Sequence, residues 1–239
     1  MPRFQSIVVL TGAGVSAESG IRTFRGSDGL WNGYAVRDVA SPQAFERDPG
    51  LVHRFYNERR RQLQDTAIRP NAAHVALASL ERKFAGEYLL ITQNIDDLHE
   101  RAGSRHVVHM HGEILKARCT ASGKVSVVES DLSDSSACSC CPDEHPLRPH
   151  VVWFGEKPLY MDTIYRALAN CDLFVAIGTS GQVYLAAGFA ELAAAKGAHT
   201  VELNLQPSAV ASHFAEKRYG TATELVGDFV ARMLGTGTE

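Results

Sequence analysis

The run Ser6-Ile7-Val8-Val9-Leu10 passes almost at once into Gly12-Ala13-Gly14-Val15-Ser16-Ala17, and no other feature restricts the fold so tightly. An apolar run of this length reads as a strand buried on both faces, as in parallel sheets. The segment after it fits G-x-G-x-x-G/A. Its glycines let backbone approach a pyrophosphate, and a helix beginning there offers unpaired N–H groups. Strand, glycine turn and helix together predict a nucleotide-binding α/β unit. One part is missing. About 20 residues on, an acidic residue at the end of a second strand should hold a ribose. Here Thr23-Phe24-Arg25-Gly26-Ser27-Asp28-Gly29-Leu30-Trp31 reads as a loop, so an ordinary hydride-transfer dehydrogenase is disfavoured.

Similar apolar runs recur at Leu89–Thr92, Leu173–Ile177 and Thr200–Leu203. Between them lie helical patterns: about Pro49 to Ala67, then from the N-cap Asn71 toward Phe84. Two more cover Val183 to Lys196, closed by Gly197, and Glu224 to Leu234. This alternation predicts an α/β fold, a Rossmann-like parallel sheet with helices on both faces. Two segments break the rhythm. Residues from about Gly33 to Arg69 carry helix signals but no strand, and about Cys119 to Pro149 is rich in Ser, Cys, Pro and Asp. A structureless loop of roughly thirty residues is uncommon inside a compact domain, so something should organise it. The expected division is a Rossmann-like lobe over about 1–32, 70–118 and 150–239, with a small second lobe over about 33–69 and 119–149. No repeat or linker divides the chain further.

Lys and Arg number 24 against 27 Asp and Glu, a formal net charge of −3. That balance leaves no electrostatic footprint for nucleic acid and no polybasic membrane anchor. No stretch approaches 18 apolar residues, and the first apolar run is too short for a signal-peptide core. Three of the five cysteines, Cys138, Cys140 and Cys141, crowd into four positions. Such clustering suits thiolate metal ligation in a reducing compartment better than a disulfide scaffold. A soluble cytoplasmic protein is expected.

Ligands of open α/β sheets sit beyond the carboxyl ends of the strands. Here those ends continue into Gln93-Asn94-Ile95-Asp96, Gly178-Thr179-Ser180 and Asn204-Leu205-Gln206. Capping and turn chemistry explains some of these residues. Amides and hydroxyls after three strands in succession go further and converge on one crevice. His109 and His111 are spaced i and i+2, on one face of an extended segment. A metal pair, a satisfied core histidine and a general base are the three readings of that spacing.

These motifs become specific in combination. Gly12-Ala13-Gly14-Val15-Ser16, Gly20-Ile21-Arg22-Thr23-Phe24-Arg25, Gln93-Asn94-Ile95-Asp96, His111-Gly112 and Gly178-Thr179-Ser180 stand in the order and spacing of the sirtuins. The resemblance runs from Gly12 to about Ala222 and is strongest to the bacterial class III branch, to which Arg22-Thr23 belongs. It implies a single catalytic domain over 1–239 that binds NAD and removes acyl groups from protein lysines. It also implies a division of labour. The phosphates would lie on Gly12, Ala13, Gly14, Ser16 and Ala17 and on the loop through Phe24, Arg25 and Trp31. Gln93, Asn94, Ile95 and Asp96 would hold the ribose and nicotinamide. Gly178, Thr179, Ser180, Asn204, Leu205, Gln206 and Ala222 would line the adenosine side. His111, with Asn94 and Asp96, would be catalytic, and Val151 to Glu156, including Phe154 and Gly155, would pair with the acylated substrate.

Tyr56 and Arg59 are spaced i and i+3 in a helical stretch and so share a side. Taken alone, Glu58 to Arg61 reads as a solvated charged face. A guanidinium fork beside a phenol also suits a carboxylate. In class III sirtuins a Tyr and an Arg at this spacing read succinyl, malonyl or glutaryl lysine, with a small residue such as Ala40 leaving room. An acidic-acyl preference with acetyl-lysine also accepted is therefore expected. Among the cysteines, Cys119, Cys138 and Cys141 are candidate ligands of one structural zinc. Ser122 stands where a partner thiolate belongs, and Cys140 or His145 is left as the fourth ligand. A relic site without metal is the competing reading. An NAD-dependent ADP-ribosyltransferase and a non-catalytic NAD or acyl-lysine binding module are the alternative functions. Oligomeric state is not legible.

Overall fold

The computed structural model describes residues 4–22, 30–31, 33–128 and 130–235. β1 (Ser6–Thr11) leads into a 3-10 helix (Ala13–Ser19), then a short pair, β2 (Leu30–Trp31) and β3 (Tyr34–Ala35). Four helices follow: α1 (Val36–Val39), α2 (Pro42–Arg47), α3 (Pro49–Gln64) and α4 (Ala72–Lys83). β4 (Glu87–Thr92), α5 (Leu98–Arg101) and β5 (Val107–His109) precede three strands of a second sheet, β6 (Gly112–Cys119), β7 (Val125–Val127) and β8 (Leu147–Val151). The chain closes with α6 (Met161–Asn170), β9 (Leu173–Ile177), α7 (Phe189–Ala195), β10 (His199–Asn204), β11 (Glu216–Tyr219) and α8 (Ala222–Met233).

The main sheet is six-stranded and parallel, in the order β11-β10-β9-β1-β4-β5. β1 alternates as a doubly buried strand must. Val8 and Leu10 pack with Phe174, Met161 and Phe189 on one face, and Ile7 and Val9 pack with Leu77, Leu80 and Phe229 on the other. Helices therefore cover both faces. Strand order reverses beside β1, which opens a crevice at the carboxyl ends of β1, β4 and β9.

β6, β7 and β8 form a separate antiparallel sheet. Its Ile114 and Val151 pack with Val52, Phe55, Tyr56 and Leu63 of α3 around Trp153. Asp48 caps α3 by accepting from the Leu51 N–H at 2.8 Å, with Pro49 at the first helical position.

The four apolar runs expected as strands are strands, and α4 runs from its Asn71 cap to Phe84. The helix expected after the glycine loop is a 3-10 helix. Other readings need correction. Tyr34–Ala35 pairs with Leu30–Trp31, in segments read as helix and loop. The helix expected from Val183 begins only at Phe189, because Leu185 takes φ 69° and interrupts the turn before it. No element is expected from the sequence at β5, β11 or α6, nor at β6, β7 and β8, so the second sheet takes Gly112–Cys119 out of the Rossmann-like lobe.

Candidate active site

The crevice is built from backbone contacts first. The Gly12 N–H donates to the Ile177 carbonyl at 3.0 Å and the Gly14 N–H to the Gly178 carbonyl at 2.9 Å. A Cβ on Gly12 would stand 2.7 Å from the Gly178 oxygen, and one on Gly14 would stand 2.6 Å from the Gly178 Cα. The glycines are thus required by the chain's own packing of one loop on another, in addition to any approach of phosphate.

Beyond β4 the chain turns back across the loop. The Gln93 N–H donates to the Thr11 carbonyl at 2.9 Å and the Asn94 N–H to Thr92 Oγ1 at 3.0 Å. Asn94 Nδ2 donates to Ser16 Oγ at 3.1 Å and to the Gly12 carbonyl at 3.3 Å, and Ser16 Oγ donates to Asp96 Oδ2 at 3.1 Å. The Leu98 N–H reaches Asp96 Oδ1 at 3.2 Å. Asn94, Asp96 and Ser16 are all buried, and burial pushes the Asp96 carboxyl up to about 6, against the Leu98 and Ser16 hydrogen bonds and nearby His109.

Half-buried His111 stands opposite. Its Nδ1 lies 3.1 Å from the Gln93 carbonyl, which can only accept, so Nδ1 carries the proton and Nε2 keeps a lone pair. Burial lowers its pKa below the ordinary value, with the Gln93 carbonyl opposing. A neutral imidazole with a free Nε2 is the state a general base needs.

On the other flank, Asn204 Nδ2 donates to the carbonyl of buried Thr179 at 2.7 Å, and Asn204 Oδ1 accepts from the Leu205 N–H at 3.0 Å. Ser180, Leu205 and Gln206 are exposed at the rim. Ala222 opens α8, whose Thr223 N–H and Oγ1 donate to Glu18 at 3.0 and 2.7 Å, tying that helix to the glycine loop. Gly178 packs on Gly12 and Gly14, Ile95 packs against the α3 core, Ala13 is half-buried and Ala17 is exposed. Phe24 and Arg25 lie outside the described residues. Trp31 falls on β2, with its side chain outside the description.

Near α3, fully buried Tyr56 accepts from Trp153 Nε1 at 3.0 Å. The carbonyl of buried Ala40 accepts from the Phe154 N–H at 3.0 Å. Arg59 is folded along its own helix, its guanidinium 3.3 Å from the Phe55 ring centroid and hydrogen-bonded to the Phe55 carbonyl. The edge expected over Val151 to Glu156 is a strand end followed by a turn. β8 is an edge strand but stops at Val151, the Val152 N–H donates to the His111 carbonyl at 2.9 Å, and Phe154 and Gly155 sit in the turn beyond.

The sulfurs of Cys119, Cys138, Cys140 and Cys141 lie within 4.8 Å of one another, the one such group among the described residues. Cys141 is 3.8 Å from Cys119 and 3.7 Å from Cys140. Four thiolates about 2.3 Å from a tetrahedral zinc stand roughly 3.8 Å apart, so the donor set fits zinc. Cys140, not His145, completes the four. Cys171 packs in the main core.

Sequence reasoning missed a buried histidine layer behind the crevice. His74 Nε2 lies 3.4 Å from Ser16 Oγ, His99 Nε2 lies 3.0 Å from Thr11 Oγ1, and the two rings are 4.8 Å apart. The available signal was the position of His74 at the third residue of the helix that Asn71 caps. His109 is not half of a metal pair, since it is bonded to Glu100.

The Sir2 family model matches residues 12–185, and the chain belongs to that family. An NAD-dependent protein deacylase of Yersinia pestis is 61% identical over 230 residues, 96% of this chain and 83% of that protein. A solved complex of a Sir2 homologue with NAD is 40% identical with TM-score 0.86, covering 96% of this chain and 90% of the other. A Sir2 structure with a p53 peptide and NAD is 31% identical with TM-score 0.81, covering 98% and 95%.

Proposed function

We propose that this protein is an NAD-dependent protein-lysine deacylase that removes succinyl and related acidic acyl groups, and also acetyl. The observation that carries the reading is the union of His111 with the Gln93–Asp96 turn. A proton acceptor held in one tautomer faces a buried amide and carboxyl at the switch point of a parallel sheet. The residues present fit a dinucleotide: Ser16 beside the glycine loop, the Gln93 to Asp96 side chains, and the polar rim from Gly178 to Ala222.

NAD, when bound, supplies a ribose carbon that releases nicotinamide and a ribose hydroxyl that receives the acyl group. Asn94 and Asp96 would hold the nicotinamide end and Gln93 the ribose. His111 Nε2 takes the proton of the ribose hydroxyl, while the Gln93 carbonyl keeps the ring from turning. Asn94 and Asp96, both buried, would shelter the nicotinamide end from water. Tyr56, Arg59 and Ala40 form the acyl pocket, with Phe154 and Gly155 against the substrate. Acylated-lysine proteins are the partners. Among the described residues no helix is long and apolar enough to cross a membrane. The cluster of four thiols suits a reducing, cytoplasmic setting.

Succinyl-lysine and acetyl-lysine peptides, incubated with and without NAD, test the reading by mass. Both should lose their acyl group only with NAD. Arg59→Met should lower kcat/KM for the succinyl peptide roughly thirty-fold or more, since an unpaired buried charge costs about 2–5 kcal/mol. The acetyl reaction should stay within a few-fold. Equal damage to both peptides would make Arg59 structural and remove the acidic-acyl assignment.

A further inference from the structure

The Gln93–Asp96 turn is held by two imidazoles, and the reaction above uses only one. β5 pairs with β4 so that His109 lies beside Thr92, and the Met110 N–H donates to the Thr92 carbonyl at 3.1 Å. From there His109 Nδ1 meets the Asn94 carbonyl at 3.3 Å, one residue along from the Gln93 carbonyl that His111 takes at 3.1 Å. His109 Nε2 is 2.7 Å from Glu100 Oε1 of α5. The His109 side chain is buried at 7% exposure, whereas Glu100 is 41% exposed and reaches in from solvent.

The chemistry of those partners sets the protonation. A carbonyl and a carboxylate can only accept, so both ring nitrogens of His109 must donate. His109 is an imidazolium two residues from a neutral His111.

We propose that His109 is a positioning residue: clamped by Glu100, its imidazolium holds the Asn94 carbonyl and so sets the turn that carries Asn94 and Asp96 and orients His111. The proposal rests on the NAD-dependent reading of the site. Asn94 is the hinge of the argument. Its Nδ2 is committed to Gly12 and Ser16 and its N–H to Thr92, which leaves Oδ1 to the ligand side and its carbonyl as the handle on the turn. Removing the clamp frees the peptide between the residue that fixes the His111 tautomer and the residues on the nicotinamide side.

Burial pulls the His109 pKa down, but the hydrogen bond and charge of Glu100 outweigh it, helped by Glu113 of β6 and the Asn94 carbonyl, and the group ends above the ordinary histidine value. Asp96 and His99 also face it from the turn and from α5. The clamp is therefore complete below the ordinary histidine value and lost as pH rises through the raised one.

The test is the pH profile of kcat/KM for NAD in wild type, His109→Gln and Glu100→Gln, with imidazole NMR of His109 as a readout independent of turnover. Wild type should show an acid limb from His111 and an alkaline limb from His109. His109→Gln donates without titrating, so its alkaline limb should flatten while the rate falls roughly ten-fold across the range. Glu100→Gln removes the carboxylate, so both the alkaline limb and the NMR titration of His109 should move to lower pH. The rate should then drop several-fold at pH 8 and much less at pH 6.5. If the wild type turns over acyl-lysine with NAD and Glu100→Gln leaves both the limb and the titration where they were, His109 is only structural. That outcome decides the matter even if His109→Gln fails to fold. A wild type inert toward acyl-lysine and NAD would instead strike the functional reading itself.

Discussion

At the carboxyl ends of β1, β4 and β9, buried polar side chains are bonded to one another and to the glycine loop. Asn94, Ser16, Asp96 and the backbone of the glycine loop form one connected set. The region around α3 and the second sheet is held differently. There Arg60 is 2% exposed and bonds only to neutral groups among the described residues, the Ile114 carbonyl at 3.1 Å and Asn57 Oδ1 at 2.7 Å. Arg148 is stacked 3.3 Å over the Trp153 ring and paired with Glu156 at 2.6 Å, and four thiols crowd together beyond. Connected hydrogen-bond networks in a buried site are rigid as built, whereas crowded thiols depend on a metal to share. The first region is thus prepared for chemistry, and the second is where stability can be withdrawn.

The largest expected break in that contrast comes from the metal. Protein purified without added metal should contain one zinc per chain. Cys140→Ser should lose it and lower the unfolding temperature by roughly 10 °C, as loss of a structural metal does, whereas His145→Ala should keep it. Zinc-free wild-type protein would make the four cysteines a relic.

A smaller effect of opposite sign belongs to the crevice. The Asp96 carboxyl sits at about 6 in the folded chain against an ordinary 3.8. The folded state therefore holds the proton more tightly, and stability falls as pH rises between those values. The cost at neutral pH is at most roughly 3 kcal/mol. Asp96→Asn should accordingly raise the unfolding temperature by about 2–6 °C at pH 7 to 8 and not below pH 4, while abolishing deacylation. No gain at neutral pH would mean that Asp96 is at ease in its site.

The same contrast governs what could be read from the sequence. The central strands and the motifs Gly12–Ser16, Gln93–Asp96 and His111-Gly112 are contiguous, and continuous apolar runs announce strands buried on both faces. Edge strands do not announce themselves. β5 has three residues and β11 reads Glu-Lys-Arg-Tyr, the charged pattern that protects an edge. α6 was legible, with Met161, Ile164 and Leu168 on one face, and went unread because no cap marks its start. The pairing of His74 with Ser16, and of His109 with Glu100 and Asn94, joins residues that only packing brings together. Arg59 stacked on Phe55 is a different case, a local i, i+4 contact within α3 that competes with the i, i+3 pairing to Tyr56.

The central claim is that the nucleotide crevice and the acyl pocket serve one transfer. It is tested most directly by following NAD labelled in its adenine during turnover of a succinyl-lysine peptide. Nicotinamide, freed lysine and a labelled acyl-ADP-ribose should appear in equal amounts. In His111→Ala all three should fall together by about 10²–10⁴ while NAD still binds. Label accumulating on protein while the lysine stays acylated would contradict the account and make the protein an ADP-ribosyltransferase.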